Sequence, residues 1–155
     1  APSLPPPAPP ATIQKEKAMH QAFDFWIGTW EVRSREGVLL GHNRIEPRLN
    51  GAVLQEHWEG AKGGQGTSLN AYQPTKGLWR QTWLDHQGSF LDLEGGPEGN
   101  SMVLRGATAT KEGTVAERIT WTPQADGRVL QLWEQSSDGG KTWKVAFEGF
   151  YLRCK

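Results

Sequence analysis

The chain has 155 residues and a mass of 17.2 kDa, with 17 Lys+Arg balancing 17 Asp+Glu and a formal net charge of zero. A chain this long can bury well over half of its unfolded surface and needs no metal or disulfide staple to hold a core. Balanced charge argues against a nucleic-acid or anionic-membrane binder, and no apolar run approaches the roughly 20 residues of a membrane span.

The first ten residues hold six of the ten prolines. Proline fixes φ and removes an amide donor, so residues 1–11 read as an extended Pro-rich tether, disordered relative to a domain covering 12–155. Such a tether behind a removed signal peptide is a common arrangement in exported bacterial proteins, and a periplasmic or secreted location is the expectation. Thr12 to Phe25 is the one candidate helix of any length: Thr12 caps it, Met19, Ala22, Phe23 and Trp26 recur at helical spacing, and Gly28 stops it.

Beyond Gly28 short runs alternate with Gly, Pro and Asn at intervals of about ten residues, the pattern of an antiparallel meander. Strands are expected at Thr29 to Arg35, Val38 to Leu49, Ala52 to Glu59, Thr67 to Gln73, Leu78 to Asp85, Ser89 to Glu94, Ser101 to Ala107, Val115 to Thr122, Arg128 to Gln135 and Trp143 to Arg153. Glu36-Gly37, Asn50-Gly51, Lys76-Gly77, Gln87-Gly88, Glu112-Gly113, Asp126-Gly127 and Asp138-Gly139-Gly140 supply the turns between them. Short hairpins make consecutive strands neighbours. Closing such a sheet removes its two edges, which predicts an all-β fold: an antiparallel up-and-down barrel of about ten strands with one short N-terminal helix, with a two-sheet sandwich as the alternative.

Alternation then assigns an inner face to Trp30, Val32, Leu54, Trp58, Trp79, Trp83, Met102, Leu104, Ile119, Trp121, Val129, Trp133, Trp143, Val145, Phe147 and Tyr151. That face takes seven of the eight tryptophans. The outer face takes Glu31, Arg33, Gln55, His57, Arg80, Arg105, Arg118, Glu134, Lys144 and Glu148, while Leu78, Leu84, Leu130 and Leu132 break the pattern.

The string Asp24-Phe25-Trp26-Ile27-Gly28-Thr29-Trp30, with a Gly-x-Trp opening the first strand behind a short helix, resembles the calycin superfamily of lipocalin-like barrels. From Phe23 to Val32, and again at Trp79 to Asp85 and Asp126 to Arg128, the chain is similar to a family of uncharacterised bacterial calycin-like proteins. The resemblance implies a lipocalin-like domain in which Trp30 plugs one barrel end and stacks on Arg153 of the last strand. The haem-binding branch, the nitrobindins, uses a histidine late in the chain; no histidine follows His86 here, so no haem or other cofactor is expected. Ser136 to Trp143 matches the Asp-box, S-x-D-x-G-x-T-W, in a single copy. A propeller sialidase needs several, so this one reads as a hairpin cap built on Asp138.

The polar residues assigned to the inner face are the chemical candidates. Glu56, Gln81, Glu117 and Gln131, with the hydroxyls of Tyr72 and Tyr151, provide orienting groups, and Trp58, Trp83, Trp121 and Trp133 provide apolar area for a ligand. Glu56 and Glu117 either enter the lumen or sit at a barrel mouth. The four histidines, His20, His42, His57 and His86, lack metal-ligand spacing, apart from a cross-strand approach open to His42 and His57, and the lone Cys154 excludes a disulfide or a Cys-rich zinc site. Three functions follow: binding or carriage of a small, largely apolar or amphipathic molecule; a small cavity enzyme, an isomerase, cyclase or hydrolase, using a buried carboxylate as base; or an interaction module whose barrel is filled by its own tryptophans.

Overall fold

The computed structural model describes residues 3–6 and 10–155. It is a closed ten-stranded antiparallel barrel in which every strand pairs with its neighbours in sequence and β1 pairs with β10. In chain order the elements are α1 (Pro10–His20), a 3-10 turn (Asp24–Trp26), β1 (Gly28–Arg33), β2 (Leu39–Arg48), β3 (Val53–Gly60), β4 (Gln65–Gln73), β5 (Leu78–Asp85), β6 (Phe90–Glu98), β7 (Ser101–Thr110), β8 (Gly113–Pro123), β9 (Val129–Ser136) and β10 (Lys144–Arg153). Residues 3–6 are exposed without regular structure, whereas Ala1, Pro2 and residues 7–9 of the expected tether lie outside the described residues. The helix begins at Pro10, inside the stretch assigned to that tether.

The helix is also shorter at its far end than its periodicity suggests. After His20 the backbone tightens through a 3-10 turn, and Phe23 and Trp26 drop into one end of the barrel, both fully buried. Their rings stack at 4.7 Å, and Trp121 meets them at 5.0 and 5.4 Å. The Trp79 indole donates to the Met19 carbonyl at 2.8 Å, tying α1 over this end. Each such aromatic removes on the order of 150–250 Å² from water, so this plug is a large share of the apolar burial.

Trp30 seals the same end from β1. Its indole donates to the Trp26 carbonyl at 2.8 Å, and the Arg153 guanidinium lies 4.2 Å from its ring while donating to the Ile27 carbonyl at 3.0 Å. Gly28 has φ near +148°, and a side chain there would collide with that guanidinium, so the Gly-x-Trp pattern has a local steric reason.

The inner face matches the alternation everywhere except at the start of β10. There the pairing runs Val145 to Glu134 and then Phe147 to Trp133, leaving Ala146 as a bulge. One extra residue reverses the facing of everything before it. Val145 is therefore 61% exposed, and Trp143 lies outside the barrel with the Arg118 guanidinium 4.0 Å from its ring. Seven tryptophans do turn inward, but Trp26 takes the place expected of Trp143. On the outer wall Leu84 pairs across strands with Phe90, both exposed, which accounts for one of the leucines that broke the pattern.

Candidate functional site

The aromatic plug fills only one end. The other half of the barrel encloses a cavity of about 490 Å³, bounded by Trp58, Trp83, Trp133, Leu39, Leu40, Leu91, Ile119 and Phe147, with Val38 and the turn at residues 60–64 at its mouth. The space exists because glycines stand where the rings must lie flat. A side chain on Gly66 would overlap the Trp83 six-membered ring, and one on Gly41 would come within 2.8 Å of Trp58. Both indoles are thereby held against the wall instead of crossing the lumen.

The boundary between cavity and plug is a belt of polar side chains crossing the sheet. Gln81 Nε2 donates to Asn70 Oδ1 at 2.7 Å, Asn70 Nδ2 to Ser68 Oγ at 2.8 Å, and Ser68 Oγ to Glu56 Oε1 at 2.6 Å. From the other side Asn43 Nδ2 donates to Glu56 Oε2 at 2.6 Å and to the Tyr151 hydroxyl at 2.9 Å, and that hydroxyl donates to Gln131 Oε1 at 2.6 Å. Glu56, Gln81, Gln131 and Tyr151 line the cavity; Asn43, Ser68 and Asn70 lie buried beside them. Glu56 is 5% exposed and has no basic partner among the described residues. Burial outweighs its two hydrogen bonds and raises its pKa above the ordinary 4.5. Burial, with the Glu56 charge second, lifts Tyr151 well above 10, so it stays a neutral phenol.

Of the residues singled out from the sequence, Glu56, Trp58, Gln81, Trp83, Gln131, Trp133 and Tyr151 come together around this cavity. Three do not line it. Trp121 belongs to the plug, and Tyr72 sits at the closed end, edge-on to His20 at 4.8 Å and beside Trp79. Strand parity placed both inward correctly but does not encode depth along the barrel. Glu117 is buried and accepts from Trp133 Nε1 at 2.8 Å and Gln135 Nε2 at 2.9 Å, so it holds an indole of the cavity wall. Asn43, Ser68, Asn70, Leu39, Leu40, Leu91 and Phe147 complete the site. Ser68 and Asn70 share the parity of Tyr72, a signal that was present in the sequence.

Elsewhere, His57 Nε2 meets Glu46 Oε1 at 2.9 Å instead of His42, and among the described residues no cluster of three metal-ligating side chains forms. No described helix is long and apolar enough to cross a membrane. Asp138 caps the β9–β10 hairpin through the amides of Lys141 and Thr142 and the Thr142 hydroxyl, which hold its pKa down at about 2. The chain matches no family model and no curated protein.

Proposed function

We propose that this protein binds a small, largely apolar molecule in the open half of its barrel, to hold or carry it. The observation that carries this reading is the cavity itself: about 490 Å³ walled by three indoles and aliphatic side chains, with polar side chains on its floor and Lys62 at its mouth. That volume and that mixture are typical of small-molecule pockets, which run roughly 300–1,000 Å³. A barrel serving only as a filled scaffold has no use for a glycine at position 66 that lets the Trp83 ring lie against the wall. The short helix, the ring of consecutive hairpins and the Trp30–Arg153 stack support kinship with the bacterial calycin-like proteins.

Three indoles on the wall make the test direct. Titration with fatty acids, terpenoids, porphyrins and aromatic acids or amines should give saturable quenching or a shift of tryptophan emission with at least one class. Native mass spectrometry should show a one-to-one complex with the same compound. Absence of saturable binding across the whole panel overturns the reading.

A further inference from the structure

The cavity floor has unused hydrogen-bonding capacity, and its one acid, Glu56, has no counter-ion among the described residues. A carboxylate offers about four acceptor positions, and Glu56 uses two, for Ser68 and Asn43. Gln81 spends its amide on Asn70, leaving its carbonyl oxygen without a partner among the described residues. The Tyr151 hydroxyl both accepts and donates. The free donors are the Gln131 amide and the second N–H of Gln81, all of them neutral. No cation offsets Glu56: the single basic residue lining the cavity, Lys62, belongs to the mouth turn and forms no ion pair among the described residues.

Resting on the reading of the cavity as a ligand site, we infer that its ligand carries an ammonium group, seated on the floor against Glu56 with the apolar remainder between the indoles. An ammonium brings donors for the open Glu56 and Gln81 oxygens and a positive charge to a floor that has no cation. A carboxylate or phosphate in the same position meets Glu56 with nothing to compensate it.

The arrangement also specifies a proton. Around Glu56 stand Asn43 from β2, Ser68 from β4 and Tyr151 from β10, of which Tyr151 alone titrates and is neutral across the physiological range. Burial raises the empty-site pKa of Glu56, and at any pH below that raised pKa seating an ammonium displaces the carboxyl proton to solvent. Amine affinity therefore rises with pH while both charge states are being exchanged.

The experiment uses one skeleton with four heads: biphenyl, biphenyl-4-methanol, biphenyl-4-methylamine and biphenyl-4-carboxylate, titrated against the full chain by tryptophan emission. The amine is expected to bind at least tenfold tighter than the alcohol and the carboxylate weaker than the hydrocarbon. Calorimetry in two buffers of different ionisation enthalpy is expected to show proton release with the amine alone. Glu56→Gln should remove both the amine preference and the proton release. An alcohol that binds as tightly as the amine, or an amine preference that survives Glu56→Gln, overturns the inference while leaving the cavity reading standing. Failure of all four heads to bind overturns the inference, the titration of the whole ligand panel deciding the cavity reading separately, and the wild-type ranking decides the matter even if the variant does not fold.

Discussion

Replacing Glu56 by Gln changes the stability of the ligand-free protein in a way that depends on pH and has a defined sign. Burial raises the carboxyl pKa in the folded state, while the unfolded chain ionises near the ordinary 4.5. Between those two values the native state holds a proton that the unfolded state has released. Stability then falls as pH rises, by about 1.4 kcal/mol for each pH unit. Glutamine has no such proton, and the other ionisable groups are common to both proteins, so the difference between variant and wild type isolates the effect. Near pH 4 the two proteins should have similar stability. By neutral pH the variant should be ahead by about 1.4 kcal/mol for each pH unit over which the folded carboxyl has held its proton. Urea unfolding followed by tryptophan emission at steps from about pH 4 to about pH 8 measures this, provided the m-values agree. A stability difference that is flat over that range, or a variant that is weaker throughout, refutes the assignment of Glu56 as a buried carboxyl without a counter-ion.

Trp30→Ala should cost about 3–5 kcal/mol in the same unfolding assay, because the ring is fully buried and its removal also strands Arg153; a loss under about 1 kcal/mol removes Trp30 from the plug. Gly66→Ala should push the Trp83 indole into the lumen, weakening ligand binding at least tenfold at a stability cost of about 1–3 kcal/mol, and an unchanged dissociation constant would show that the ring does not bound the site. For Asp138 the folded pKa is depressed to about 2, so its contribution is present above the ordinary 3.8 and lost as pH falls through about 2. Asp138→Ala should lower the melting temperature at neutral pH, the gap should close in strong acid, and a gap that persists there would point to packing instead of charge.

The barrel was readable because its turns and its alternation agree. The predicted bounds of Leu78 to Asp85 coincide with β5, and the Gly-containing pairs fall at the hairpins with positive φ at Gly37, Gly51, Gly77, Gly88, Gly113 and Gly127. Period-two patterning found most of the wall because a strand offers only two faces. It failed at Trp143 and Val145, since one bulged residue at Ala146 inverts parity and nothing in the local composition announces it. Depth was the second blind spot. Trp121 and Trp133 have the same parity and opposite roles, decided by how far the segment at residues 23–26 reaches into the barrel. That reach is a tertiary fact. The polar belt was half visible: Glu56, Gln81, Gln131 and Tyr151 stood out as large polar groups among apolar ones, whereas Asn43, Ser68 and Asn70 passed for ordinary strand residues.

The ring of strands has one joint unlike the rest. Nine of its pairings join strands next to each other in sequence, and the tenth, between β1 and β10, brings together Ile27 and Arg153 from 126 residues apart. The hairpins can zip locally, but this seam closes only after nearly the whole chain has been ordered, and it carries the largest single loop-closure cost. Its contacts are accordingly absent from an early transition state. Lesions in Trp30, Gly28 or Arg153 then speed opening far more than they slow folding, and each opening bares two long strand edges at once. The same side chains that plug the barrel thus govern its lifetime and its tendency to pair with a second copy.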